Sequence, residues 1–136
     1  MEKQRVLILC TGNSARSQMA EGLLRDLAGE SYEVFRAGIS PSTIRPEAIE
    51  AMKEIGIDIS SQRSKSVDDF AGQEFNYVIT VCDNANENCP IFPGNAKRIH
   101  WSFDDPAEAA GSTSQRLSVF KRVRDEIKEK LTSQFG

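Results

Sequence analysis

Three thiols, one arginine and one carboxylate are the side chains here whose types and spacing allow group-transfer or redox chemistry. The apolar run Val6-Leu7-Ile8-Leu9 stops at Cys10 and becomes small, polar and basic in Thr11-Gly12-Asn13-Ser14-Ala15-Arg16-Ser17. A loop that passes from a strand into a helix aims several backbone N–H groups at one point, and the helix dipole adds partial positive charge there. Such a concavity binds a tetrahedral oxyanion, so Thr11 through Ser17 are the candidate oxyanion-binding residues. Gly12 takes positive φ without penalty, and Asn13 does so better than most residues. Arg16, six positions after Cys10, can fold back and clamp two oxygens of the bound anion with paired hydrogen bonds. The same donors favour the Cys10 thiolate, and such surroundings lower a thiol pKa by several units from about 8.5. Ser14 and Ser17 are candidate hydroxyl donors to the sulfur, with Ser17 favoured by the turn. A Cys-x-x-x-x-x-Arg spacing alone arises by chance, and free cysteine is often just a small buried residue. The strand before it and the helix after it favour the anion site. An ATP loop is excluded because no Gly-Lys-Ser/Thr follows.

Cys82 and Cys89 lie seven residues apart. In a helix their α-carbons would sit about 10 Å apart, whereas a disulfide needs roughly 4.4 to 6.8 Å. A bridge therefore requires unwinding, and Asp83, Asn84, Asn86 and Asn88 are poor helix formers that ease it. Two incidental cysteines in a polar loop is the plainer reading. A zinc site completed by Cys10 and His100 lacks a short cysteine pair and has one histidine to draw on. No metal site and no cofactor are expected, and His100 is read as an ordinary strand residue. The carboxylate is Asp105, in Asp104-Asp105-Pro106. It could protonate an oxygen leaving a tetrahedral centre, although acids before proline are more often turns.

The elements that must position these groups follow from hydrophobic period. Arg5 to Cys10 reads as a strand buried on both faces. Ser17 to Ala28 carries Met19, Ala20, Leu23, Leu24 and Leu27 at helical spacing, with Gly29 placed to end it. Tyr32 to Ala37 is a second strand, and Gly38 to Pro46 is a loop. Pro46 opens a helix whose inward residues are Ala48, Ile49, Met52 and Ile55, with Gly56 as its stop. Within Ile57 to Phe70, polar Ser60 to Ser66 suggests an exposed connection with room for a short helix after it. Asn76 to Cys82 is the clearest later strand, Lys97 to Trp101 a weaker fourth, and a final helix spans about Ser114 to Leu131. Strands alternating with helices predict an α/β fold, a parallel sheet with helices on both faces, whose ligands bind at the carboxyl ends of the strands. Cys10 and Cys82 both fall at that edge.

At 136 residues the chain is expected to be a single domain, residues 1–136, able to bury its core without disulfides. A net charge of −3 gives no support for nucleic-acid or anionic-lipid binding, so an anion site must be built from local donors. The longest wholly apolar run is too short to span a membrane. An odd set of three cysteines, with no export signal, points to reduced thiols in a cytoplasmic protein.

The segments Cys10-Thr11-Gly12-Asn13-Ser14-Ala15-Arg16-Ser17-Gln18-Met19-Ala20-Glu21, Ala37-Gly38, Ile57-Asp58-Ile59-Ser60 and Trp101-Ser102-Phe103-Asp104-Asp105-Pro106 together resemble the thioredoxin-coupled arsenate reductases. Those enzymes share the low-molecular-weight protein tyrosine phosphatase fold, and the resemblance covers nearly the whole chain. It implies a three-layer sandwich around a four-stranded parallel sheet of order 2-1-3-4. It implies that Cys10 attacks arsenate, that Cys82 attacks Cys10 as arsenite leaves, and that Cys89 then attacks Cys82, so that the disulfide passes to thioredoxin. It also implies that Arg16 binds the oxyanion and that Asp105 is the acid, with the chain acting as a monomer. Some of these reductases bind potassium beside the loop, using the loop asparagine and positions matching Arg36, Arg63 and Lys65. Three cationic side chains cannot ligate a cation, so no potassium site is expected, and Arg36 or Lys65 is expected to supply the charge.

Two other functions remain open from sequence. A tyrosine phosphatase needs only Cys10, Arg16 and Asp105, with some activity on phosphate esters expected even of a reductase. Yet Ala107-Glu108-Ala109-Ala110-Gly111 follows the Asp-Pro, where phosphatases place aromatic residues to wall the substrate ring. A non-enzymatic oxyanion or redox sensor would leave Asp105 unexplained.

Overall fold

The computed structural model describes residues 3–10, 15–38, 44–62, 65–81 and 94–136. Among the described residues, four strands and three α-helices run in the order β1 (Gln4–Cys10), α1 (Arg16–Ala28), β2 (Tyr32–Gly38), α2 (Pro46–Glu54), β3 (Tyr77–Thr80), β4 (Lys97–His100) and α3 (Thr113–Phe135). Short 3-10 helices occupy Val67–Phe70 and Pro106–Glu108. The sheet is parallel with order β2-β1-β3-β4, which agrees with the expected arrangement. β1 lies in the middle, and Val6 through Leu9 are fully buried, as a strand covered on both faces requires. β4 is an edge strand with three of its four residues exposed, which is why its hydrophobic signal is weak.

Alternation along β2 sorts the cover of the two faces. Arg36 reaches α1, and α1 in turn packs against α3, which packs against α2. Phe35 points the other way, into an edge-to-face cluster with Phe70 and Phe75 at centroid separations of 5.8 Å each. The Arg5 guanidinium lies 4.7 Å from the centroids of both Phe35 and Phe75. Among the described residues no helix is long and apolar enough to cross a membrane.

The short helix expected after Ser60–Ser66 is the 3-10 helix Val67–Phe70, started by a Ser66 capping box, with Val67 and Phe70 buried and Ile59 fully buried ahead of it. Gly38 N–H donates to Lys65 O at 2.8 Å, so this segment is bound to the end of β2. The final helix continues past Leu131 to Phe135 because that ring packs edge-on against Tyr32 and Tyr77, at 5.0 and 5.3 Å. Such long-range contacts leave no trace in helical period.

Candidate active site

The pairing register brings Cys10 beside Gly38, Leu9 beside Thr80, and Thr80 beside His100. The carboxyl ends of the strands thus form one edge, with Cys10 at its centre. The Cys10 side chain is buried, and its Sγ lies 3.0 Å from Ser17 Oγ. When Cys10 is a thiolate the hydroxyl must be the donor. Thr11, Gly12, Asn13 and Ser14 lie outside the described residues, as do Arg63, Cys82 and Cys89.

Helix α1 starts immediately after the loop. Ala15, its N-cap, has no side-chain oxygen and no acidic residue occupies the first turn. No side-chain cap hydrogen bond closes the start of the helix, and a helix N-terminus attracts anions through its dipole. The first Ala15 carbonyl contact is helical, accepting from Met19 N–H at 2.8 Å.

Arg16 is directed toward the segment after β4. Its Nη1 donates to Phe103 O at 3.1 Å, and its Nη2 lies 3.6 Å from Asp105 Oδ2. Phe103 N–H donates to Val81 O, and the Arg122 guanidinium holds Asp104 at 3.0 Å. This segment is therefore tied to the end of β3 through its backbone and to α3 through an ion pair. The structure brings Cys10, Ser17, Arg16 and Asp105 to one place, with a thiol beside a hydroxyl and a guanidinium beside a carboxylate. His100 Nδ1 and Thr80 Oγ1 are 2.7 Å apart beside them.

Beneath these groups lies a polar network that local reading does not reveal. Arg16 through Leu24 are all buried, so α1 has no solvated face over its first half. Gln18 and Glu21 are fully buried. The Arg36 guanidinium sits between them, with Nε donating to Gln18 Oε1 at 2.9 Å and Nη1 to Glu21 Oε1 at 2.9 Å. Gln62 Nε2 donates to Gln18 O at 3.1 Å and to Gln18 Oε1 at 2.6 Å. Burial pushes the Glu21 carboxyl above the usual range, and Arg36, Arg25 and Lys65 oppose that shift. The available signal was Arg36 itself, a charge inside a strand flanked by Phe35 and Ala37.

A family model described as low molecular weight phosphotyrosine protein phosphatase matches residues 5–135, and the chain belongs to that family. Within it, the chain is similar to an arsenate reductase of Halalkalibacterium halodurans, 47% identical over 131 residues, 96% of this chain and 94% of that one. A solved arsenate reductase in the phosphate-binding state superposes with a TM-score of 0.79 at 33% identity, covering 96% and 95% of the two chains. A Corynebacterium glutamicum thioredoxin-dependent arsenate reductase superposes with a TM-score of 0.70 at 30% identity, covering 96% of this chain and 61% of that one.

Proposed function

We propose that this protein reduces arsenate to arsenite in the cytoplasm, through a relay of Cys10, Cys82 and Cys89 that thioredoxin recharges. The observation that carries the reading is the buried Cys10 sulfur, 3.0 Å from Ser17 Oγ, at the start of a helix whose Arg16 reaches Asp105. The N–H groups of the Thr11–Ser17 loop and the Arg16 guanidinium hold the oxyanion. The Cys10 thiolate attacks arsenic, and Asp105 protonates the oxygen that departs as water. Cys82 thiolate then attacks Cys10 Sγ. The sulfur–arsenic bond breaks, its electron pair stays on arsenic, and arsenic leaves as arsenite while a Cys10–Cys82 disulfide forms. Cys89 attacks Cys82 and frees Cys10, and thioredoxin supplies the two electrons that reduce the Cys82–Cys89 disulfide. Each exchange depends on thiolate fraction and access.

Support comes from the full-length similarity to proteins named arsenate reductases, from one named thioredoxin-dependent, and from the presence of Cys82 and Cys89 beyond what ester hydrolysis needs. The family's phosphatase name favours one further activity at the same site, slow hydrolysis of phosphate esters by Cys10, Arg16 and Asp105. The test is thioredoxin-coupled arsenate turnover and p-nitrophenyl phosphate hydrolysis in Cys10→Ser, Cys82→Ser and Cys89→Ser. All three variants should lose arsenate turnover, and only Cys10→Ser should lose ester cleavage. Normal arsenate turnover in Cys89→Ser removes the relay.

A further inference from the structure

Arg36 closes a loop of contacts that begins and ends at Cys10. β1 and β2 are in parallel register, so Cys10 pairs with Gly38 and Ile8 pairs with Arg36. The Arg36 side chain crosses to α1 and holds Gln18 Oε1 and Glu21 Oε1, both at 2.9 Å, and its Nη1 is 2.7 Å from Glu21 Oε2. Gln62 fixes the same Gln18 from the other side. Arg25 Nη2 lies 2.9 Å from Glu21 Oε1 and also donates to Val34 O at 2.9 Å, a second tie between α1 and β2. Gln18 directly follows Ser17, whose hydroxyl returns to Cys10 Sγ. The orientation of the turn that carries Arg16 and Ser17 is thereby referred to the strand pair that carries the nucleophile.

Stability is a poor reason for this arrangement. Removing two charges from water usually offsets what their attraction returns, and apolar residues of similar volume often serve as well or better. Hydrogen bonds differ from apolar contacts in being directional, so a forked guanidinium fixes the rotation of a helix where greasy packing would let it slide. We propose that Arg36 is a positioning residue for the Cys10 site, acting through Gln18 and Glu21 to set Arg16 and Ser17 against the nucleophile. The proposal rests on the function given above for its turnover arm, but its thiol arm needs no substrate.

The decisive comparison separates position from stability. Arg36→Met alone leaves the buried Glu21 carboxylate with Arg25 as its remaining close cation among the described residues and should lower both Tm and turnover. The double variant Glu21→Leu/Arg36→Met removes both charges and should recover most of the Tm. Its kcat/KM for arsenate should nevertheless stay on the order of 10- to 100-fold below the parent, the size of effect expected from an ångström of misplacement. The fall should lie mainly in kcat, and the pH midpoint for iodoacetamide alkylation of Cys10, measured in a Cys82→Ser/Cys89→Ser background, should rise. Arg36→Lys keeps a charge opposite Glu21 but cannot make the second, coplanar bond to Gln18. It should fold normally and fall between parent and double variant in both readouts. Parental turnover and parental alkylation midpoint in either the double variant or Arg36→Lys would overturn the proposal. Failure of the functional reading is distinguishable, because the parent itself would then not turn over arsenate while its alkylation profile stayed measurable.

Discussion

Replacing Ser17 by alanine removes one hydroxyl from a fully buried position, 3.0 Å from the Cys10 sulfur. A hydrogen bond to a charged partner is worth about 1.5–3 kcal/mol, and 1.36 kcal/mol corresponds to about one pKa unit. Ser17 shares Cys10 with other partners, so the loss should fall at the low end, about one unit upward. The assay is the second-order rate of iodoacetamide alkylation against pH in a Cys82→Ser/Cys89→Ser background, where Cys10 is the remaining thiol. The midpoint should rise by about one unit while the alkaline plateau rises about threefold, since thiolate nucleophilicity grows with pKa at a slope of about 0.4–0.5. The two movements together are the signature of a lost stabilising bond. An unchanged midpoint would show that Ser17 does not stabilise the thiolate.

Asp105→Asn should lower arsenate kcat by about 10² to 10⁴, the usual contribution of a general acid, while leaving Tm nearly unchanged because Asp105 is part-exposed. In Gly22→Ala the new methyl would stand 2.7 Å from Ile59 Cγ2 and 3.1 Å from Met52 Cε. Overpacking of about 1–3 kcal/mol should exceed the gain of about 1 kcal/mol in helix propensity, so thermal denaturation should show a Tm lower by a few degrees. Burial raises the Glu21 pKa above the ordinary carboxylate value. Its contribution therefore favours the folded state at low pH and is lost as pH rises through the raised value. The stability of Glu21→Gln relative to the parent, from urea denaturation, should accordingly increase with pH across that window. Potassium should raise Tm no more than sodium at equal ionic strength, because Arg36 already places a cation against Glu21. A potassium-specific rise would contradict that assignment.

The sequence by itself determined the elements whose signal is local. The run Val6 to Leu9 specifies a strand buried on both faces, and Met19, Ala20, Leu23 and Leu24 specify the helix that follows. The small polar residues between them specify a turn, so Cys10, Arg16 and Ser17 could be assigned to one site from chain order alone. Asp105 could not, since its meeting with Arg16 across 3.6 Å depends on β4 returning along β3. Nor could the roles of Gln18, Glu21 and Arg36, because helical period places polar residues in water unless another segment covers them. Here the end of β2 and the 57–62 turn provide that cover, and the desolvated charges can then persist only by pairing with one another. Periodicity records which residues prefer water, and tertiary structure decided which of them were denied it.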